Sequence, residues 1–561
     1  MKKKNIFHIA LFVAFVALLS LPWIQMKTQF VKIEPLKGAF NIAEKKPLTW
    51  QSYRDGSFQK SVEDYLSDHF GFREWAIKTY NQYIWSCYGL WNKTCIRLGQ
   101  DHWLYFLDDV NDFNYGIGCY DAPDSASLMT RYVNDSRNLY WMQEILKEYG
   151  VSLFVCMAPS KSMIFPEHIA DHVPGYQCGL PKAYPYYVSR FKELGLNHID
   201  FNAYYSQLKG KTDYPLYYKF SSHWTNISVC YMGDTLLRYM EGLDGRRLPR
   251  LHVGQPYEAP AVEPDNDMMG VVSVWFPLEK QTYLYADVSM VLNPRDDRPR
   301  LLAVGDSYCM NFHNMVPFDS IFSQYRYWYY FHDIERDPNR QYVEQVDILD
   351  EVLNIDYLMV IWCPINIYKL GHGFPEQALI NLCVDDSIVA ARFRQEVAAI
   401  QSNPAQMQAV QDKADQNGWR LKQALTNEVY QRFYDHPDQY FEELNTNAVP
   451  TSRNSRIAET RDTLNRRGVI RRQIQNDTRW SQYVKRKAEE SLISHQEAFD
   501  NEVDWVLQHP RMSQRDKDIK QCVIEIYTYE PGLSEVGSKA EAQHLTLDQA
   551  VWAEARKQSK K

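Results

Sequence analysis

Leu301-Leu302-Ala303-Val304-Gly305-Asp306-Ser307-Tyr308 reads as a buried strand that runs into a tight turn and presents a serine hydroxyl at the strand's carboxyl end. Open α/β sheets place their chemistry at that end. Glycine lets the backbone turn without a side-chain clash, and a helix starting just after it aims free N–H groups at the space beside Ser307. Ser307 is therefore a candidate nucleophile, with Gly305, Asp306 and Tyr308 forming the turn and oxyanion region around it. The plainer alternative is that Ser307 only caps the following helix.

A serine is a poor nucleophile near neutral pH unless a base lies within hydrogen-bond reach. The best candidate is His223, upstream in Tyr217-Tyr218-Lys219-Phe220-Ser221-Ser222-His223-Trp224-Thr225. A satisfied core histidine beside Trp224 is the competing reading.

Working outward, Val151 to Ala158 is a continuous apolar run of strand length, which suits a strand buried on both faces of a parallel sheet. It ends in Pro159-Ser160-Lys161, where Lys161 is either a pocket-rim residue or a surface lysine. An amphipathic helix is expected from Ser127 to Tyr149, another from Tyr184 to Leu194, a short strand at Asn197-His198-Ile199-Asp200, and a further strand from Tyr357 to Cys363. This alternation predicts a doubly wound α/β sheet. The aromatic run from Tyr325 to Phe331 fits a strand with one ring-bearing face inside better than a sugar platform.

Composition bounds the function. The 561 residues are enough for two or three domains, and 45% hydrophobic with 24% charged is ordinary globular usage. A net charge of −8 argues against a general nucleic-acid binder. The 39 tyrosines are compatible with a carbohydrate-handling surface and equally with an aromatic core.

Lys2-Lys3-Lys4 precedes an apolar run from Ile6 to Ile24, which as a helix spans roughly 28 Å, close to a bilayer's hydrocarbon core. The positive flank should stay cytoplasmic. No small-residue cleavage site follows Leu19-Ser20-Leu21-Pro22-Trp23, so an uncleaved anchor is favoured over a removed signal. The chain is thus expected to be a single-pass inner-membrane protein with its bulk in the periplasm. Among the ten cysteines, Cys87 with Cys95 and Cys119 with Cys178 are conceivable pairs, while Cys156, Cys309 and Cys363 read as small core residues. No metal-ligand spacing is present, so neither a metal nor another cofactor is expected.

From about Ala390, glycine and proline punctuation thins and helical periodicity takes over. Ile400-Gln401, Val410, Lys413-Ala414, Ala424 and Asn427-Glu428-Val429 recur 74 residues later as Ile474-Gln475, Val484, Lys487-Ala488, Ala498 and Asn501-Glu502-Val503. Two related helical hairpins, about 400–430 and 474–504, are expected, joined by a flexible connector from Asn445 to Arg467. The charged tail from Arg556 should fray. The expected organisation is a tail and anchor over 1–30, an α/β domain over 31–390 and a helical appendage over 391–561.

Four ordered stretches resemble the alginate O-acetyltransferase AlgJ/AlgX family of SGNH-hydrolase-like proteins. They are Asp64-Tyr65 through Phe72-Arg73 with Leu98-Gly99 through Leu104-Tyr105; Pro159-Ser160-Lys161 with Ile164-Phe165-Pro166-Glu167; Ser221-Ser222-His223-Trp224-Thr225; and Gly305-Asp306-Ser307-Tyr308. The resemblance covers roughly residues 50 to 390. It implies a flavodoxin-like α/β/α sandwich in which the catalytic histidine precedes the serine. It further implies a serine acyl-enzyme that passes acetyl to an exported polysaccharide, and an inner-membrane acyltransferase as the acetyl donor. Mapped onto this sequence, Ser307 would be the nucleophile and His223 its base, with Lys161 and Trp224 near the substrate.

The family's usual motif is Asp-x-His-Trp, and here Ser221 stands at the aspartate position. A hydroxyl can accept a hydrogen bond from the imidazole but cannot neutralise the imidazolium that forms during catalysis. Three readings follow: a weakened Ser–His dyad supported by Ser221, another carboxylate brought in from elsewhere in the fold, or a fold that has lost its chemistry. Asp213 is one carboxylate near enough in sequence to consider. Transferase and esterase share one acyl-enzyme, and the alternative class is a non-catalytic glycan-binding or scaffolding component of an export complex.

Overall fold

The computed structural model describes residues 2–559 apart from 37–41, 44, 46–47, 89–94, 117–124, 171–181, 277–278, 292, 294–295, 336–341, 459–469, 471–472, 475–476, 510–511 and 513. Cys119 and Cys178, one of the two pairs considered above, lie outside the described residues. Cys87 and Cys95 carry free thiols rather than closing a loop.

Six strands build the sheet: β1 (Ser152–Met157), β2 (His198–Asp200), β3 (Arg300–Gly305), β4 (Gln324–Tyr329), β5 (Asp333–Ile334) and β6 (Tyr357–Trp362). They lie in the order β5-β4-β3-β6-β1-β2, and all neighbours are parallel except the edge pair β4/β5. The apolar runs are central for a physical reason. Strands covered on both faces need apolar side chains at every position, and β6 is buried at all six of its residues.

Because side chains alternate along a strand, Leu302, Val304, Leu358 and Val360 enter the core on one face of the sheet, while Leu301, Ala303, Met359 and Ile361 enter the core on the other. The first face is covered by the helix Ser125–Glu148 and its neighbours; the second packs against Asn226–Asp244 and Ser307–Met315. The result is the doubly wound sheet that the alternation predicts, in the α/β/α sandwich that the resemblance implies.

Helices used below are α1 (Lys2–Thr28), α2 (Ser57–Asp68), α3 (Arg73–Tyr88), α4 (Ser125–Glu148), α5 (Asn226–Asp244), α6 (Asp267–Val272), α7 (Ser307–Met315), α8 (Pro404–Asn417), α9 (Leu421–Asp435), α10 (Thr478–Ser491) and α11 (His495–Gln508). α1 holds one 18-residue stretch, Leu11–Thr28, long and apolar enough to cross a membrane.

Adding 74 to the bounds of α8 gives those of α10, and adding it to Leu421 gives the start of α11. The two helix pairs nevertheless occupy different cores. Val410, Ala414, Ala424 and Val429 join the core under the sheet, which continues through Leu444. A second core begins at Ile474 and holds Val484, Ala488, Ala498 and Val503. The helices after residue 390 are therefore divided between two cores.

The shared lysines also do different things: Lys413 pairs with Glu428 at 2.6 Å, and Lys487 with Asp548 at 3.3 Å. The expected connector is tied down in its described part, because Asn454 is buried with its amide on the Asn381 carbonyl and Asp386, and Arg456 pairs with Asp347 and Asp386. Likewise the last helix runs to Gln558 with Ala555 buried, so Arg556 belongs to a packed helix rather than a frayed tail.

Candidate active site

The carboxyl ends of four strands converge on one spot. Lys161 follows β1, Ser307 follows β3, Tyr330 follows β4, and Asn366 follows β6. At Gly305 a Cβ would lie 2.4 Å from Ile361 Cγ2 and 2.7 Å from the Ile361 carbonyl, so only glycine lets β3 approach β6 this closely before the turn.

Asp306 is the N-cap of α7, its Oδ1 accepting from Tyr308 N at 3.0 Å. Its other oxygen accepts from Cys363 N at 2.9 Å and Asn366 Nδ2 at 3.0 Å, and its carbonyl accepts from the Tyr327 hydroxyl at 2.6 Å. Asp306 thus fastens the turn to β4 and to the β6 loop. Ser307 is the first residue inside the helix and is relieved of the capping role, which leaves its hydroxyl available.

The Ser307 hydroxyl meets His223 Nε2 at 2.8 Å, and His223 Nδ1 meets Asp267 Oδ2 at 2.7 Å. A carboxylate only accepts, so Nδ1 carries the imidazole proton and Nε2 offers a lone pair to Ser307. Burial alone would raise the Asp267 carboxyl, but its bonds to His223 and to the Ser222 hydroxyl and amide outweigh that and hold it below the usual carboxylate range. Asp267 Oδ2 also accepts from Ser222 Oγ at 2.5 Å, while Oδ1 accepts from Ser222 N at 2.9 Å and Met268 N at 2.8 Å. The acid is thereby locked to the segment that carries the histidine.

Ser221 does not occupy the acid's place. Its hydroxyl donates to the Pro264 carbonyl at 2.8 Å and accepts from His223 N at 3.1 Å, bracing the turn through the backbone. The second reading of the departure is the one the geometry matches, with Asp267 as the carboxylate; Asp213 is exposed and takes no part.

Lys161 is fully buried rather than at a rim. Its ammonium donates to the carbonyls of Leu104, Lys219 and Ser221 at 2.7, 2.8 and 2.7 Å, over the rings of Trp103 and Tyr105. Burial pushes it down to about 7 against the pull of Asp267 and Asp109. Those three carbonyls use all three ammonium donors, so Lys161 holds the His223 turn rather than a substrate.

Trp224 is also core: it packs on Phe201, Tyr205 and Phe312 and donates to the Tyr308 carbonyl at 3.2 Å. Tyr308 closes the turn by donating to the Ser222 carbonyl at 2.6 Å, with its ring 4.7 Å from the His223 ring. Its own N–H is committed to Asp306, so Tyr308 supports the histidine and does not offer an oxyanion donor.

Four residues at the site carry no signal in the linear sequence: Asp267, Ser222, Tyr330 and Asn366. The Tyr330 phenol lies beside the Ser307 hydroxyl and accepts from Asn366 Nδ2 at 3.2 Å; burial raises it strongly, so it stays a protonated donor. Its backbone is left-handed at φ 49°, followed by Phe331 at φ 55°, an unfavourable pair held by the Tyr330 N bond to the Gly305 carbonyl at 2.8 Å. A serine, an oriented base, a charged acid and a phenol donor around one open point can form and resolve an acyl-serine.

Comparison with known proteins places this geometry in context. Residues 96–235 match the family model described as SGNH hydrolase-like domain, acetyltransferase AlgX. Similar solved structures include the O-acetyltransferase domain of Pseudomonas putida AlgJ, at 12% identity over 49% of this chain and 92% of that one, TM-score 0.34. Pseudomonas aeruginosa AlgX aligns at 14% identity over 51% and 68%, TM-score 0.32, and Bacillus cereus PatB1 at 11% over 42% and 90%, TM-score 0.27. No curated protein matches. The matched segment contains Lys161, Ser221, Ser222 and His223, whereas Asp267 and Ser307 lie beyond its end.

Proposed function

We propose that this chain, whose residues 96–235 match the SGNH hydrolase-like domain model, is an O-acetyltransferase whose acetyl group passes through Ser307. The observation that carries this reading is the unbroken Ser307–His223–Asp267 hydrogen-bond chain. His223 Nε2 takes the Ser307 proton as Oγ attacks the acetyl carbonyl, and Asp267 stabilises the imidazolium that forms. The oxygen that becomes negative is stabilised by donors at the turn, of which the Tyr330 phenol is one. Collapse of the tetrahedral adduct returns the proton from His223 to the departing group and leaves acetyl-Ser307. The same nitrogen then deprotonates an acceptor hydroxyl, which attacks the acyl carbon and frees Ser307.

The acceptor in this reading is a hydroxyl of an exported or envelope polysaccharide, and water is the competitor that turns the enzyme into an esterase. α1 serves as an uncleaved anchor in the inner membrane, with Lys2-Lys3-Lys4 inside and the rest of the chain in the periplasm. An inner-membrane acyltransferase supplies acetyl groups across the bilayer. The helix pairs α8/α9 and α10/α11 descend from one duplicated hairpin, the first absorbed into the sheet domain and the second kept as a docking unit. The non-catalytic scaffold reading drew on Ser221 and on the appended helices; the Asp267 contact with His223 weighs against the first motive and leaves the second.

The test is hydrolysis of a chromogenic acetyl ester by the parent and by Ser307→Ala and His223→Ala, followed by acetyl transfer to an oligosaccharide in the same buffer. Turnover abolished by both substitutions supports the reading. Turnover unchanged in either would overturn it.

A further inference from the structure

From the contact of α1 with the turn between α2 and α3, we infer that the aromatic face formed by Phe70, Trp75, Tyr80 and Tyr83 is a membrane-interface surface that seats the catalytic domain on the bilayer. This rests on the single-span anchor proposed above. The turn between α2 and α3 sits against α1 backbone to backbone: a Cβ at Gly71 would fall 2.1 Å from the Pro22 carbonyl, 2.8 Å from Gln25 Cβ and 2.9 Å from Met26 N. Only glycine permits that approach, and Phe30 packs edge-on against Phe72 at 6.1 Å beside it.

The contact fixes depth. Pro22 lies two residues before the end of the apolar run Ile6 to Ile24, which in a helix is roughly 3 Å inside its boundary. A turn pinned at that level cannot stand clear of the membrane, so the face beside it lies in the headgroup layer. The side chains there suit that layer. Phe70, Tyr80 and Tyr83 are each more than half exposed, and with Trp75 and Pro22 they wall one continuous groove. Phe70 also walls a second groove with Val62 and Leu66 on α2. Rings with an apolar body and a polar tip concentrate at membrane–water interfaces.

Two of the cations beside the face are paired, Lys60 with Asp64 and Arg73 with Asp68, both at 3.2 Å, and Lys78 lies over the Trp275 ring at 5.5 Å. In this inference the apolar face carries the binding, which accordingly needs no anionic lipid and resists salt. The same helix seats the acid. Asn81 donates to the Val272 and Ser273 carbonyls, and Gln82 accepts from Trp275 N and Phe276 N, so α3 grips the far end of α6, whose first residue is Asp267. Seating the face on the bilayer thus fixes the orientation of the site relative to the membrane.

The experiment uses the full chain in phosphatidylcholine vesicles, with Cys87, Cys95, Cys119, Cys178 and Cys522 replaced by Ser and one nitroxide at Phe70→Cys, Tyr83→Cys, Val16→Cys or Ser402→Cys. The ratio of collisions with oxygen to collisions with a water-soluble nickel chelate reports depth. At 70 and 83 it should be several-fold above that at 402, below that at 16, and unchanged in high salt. A deep label at 16 with 70 and 83 as aqueous as 402 overturns the inference and leaves the face to a protein partner. A label at 16 that is itself aqueous removes the anchor and the inference with it.

Discussion

Replacing Asp267 by Asn tests whether the acid at the site is this residue, 44 positions after the histidine, or the local Ser221. The outcome follows from which oxygen does what. Oδ1 accepts from two backbone amides, Ser222 N and Met268 N, at 2.9 and 2.8 Å. An Asn side chain must keep its carbonyl oxygen there, because an NH2 group facing two N–H donors would leave all of them unsatisfied. Its NH2 then occupies the Oδ2 position, 2.7 Å from His223 Nδ1. Nδ1 becomes an acceptor, the imidazole proton moves to Nε2, and that nitrogen can no longer take the Ser307 proton. Loss of charge and inversion of the tautomer together should cost turnover about 10³ to 10⁴-fold, or ~4–5 kcal/mol on the barrier. The fold should survive, since the substitution keeps the shape. The assay is steady-state hydrolysis of a chromogenic acetyl ester, with circular dichroism as the folding control. A folded Asp267→Asn protein within tenfold of the parent would refute the reasoning and return the acid's role to another group.

Other consequences can be checked alongside it. Ser221→Ala leaves His223 N without its partner and the Pro264 carbonyl with Asp267 N alone, so it should lower stability by about 1–2 kcal/mol while turnover stays within about tenfold of the parent; a loss matching that of Asp267→Asn would show Ser221 in the acid's place. Lys161→Met strands the Leu104 and Ser221 carbonyls and leaves that of Lys219 with Leu104 N alone, so it should lower unfolding stability by about 2 kcal/mol or more, read from the urea midpoint; an unchanged midpoint contradicts the bracing role. Asp265 is buried and its carboxyl is pushed up to about 7. The native state therefore keeps a proton that the unfolded chain has lost, and stability falls as pH rises from about 4 to about 7. Asp265→Asn should accordingly raise the melting temperature more at pH 8 than at pH 5, and an equal change at both would dissociate Asp265 from that slope. Gly305→Ala drives a methyl into Ile361 on the neighbouring central strand and should cost about 1–3 kcal/mol, seen as a lower melting temperature.

What the chain discloses in one dimension depends on how local the cause is. β1, β3 and β6 were legible because a strand buried on both faces needs a continuous apolar run, and the Gly305-Asp306-Ser307 turn because a close strand approach, a cap and a first helical residue are neighbours in sequence. His223 stands out beside Trp224 for the same local reason. Asp267 does not, since nothing near it distinguishes it from Asp265; what selects it is the docking of α6 on α3, made by Asn81 and Gln82 nearly 200 residues earlier. Lys161 reads as a surface or rim residue because its three acceptors come from segments 57 to 60 residues away and become neighbours only in the folded chain. The change in character near residue 390 is real as a change of periodicity, yet an amphipathic pattern does not say which surface its apolar face will meet, and α8 and α9 meet the sheet domain.

Ser307 as a nucleophile activated by His223 and Asp267 should react as one. The most direct measurement treats the full chain with an aryl sulfonyl fluoride, which attaches irreversibly to activated serines, and maps the adduct by peptide mass spectrometry. One adduct is expected, on Ser307, forming orders of magnitude more slowly in His223→Ala and in Asp267→Asn. An adduct on another residue, or labelling of Ser307 at the same rate in all three proteins, would contradict it.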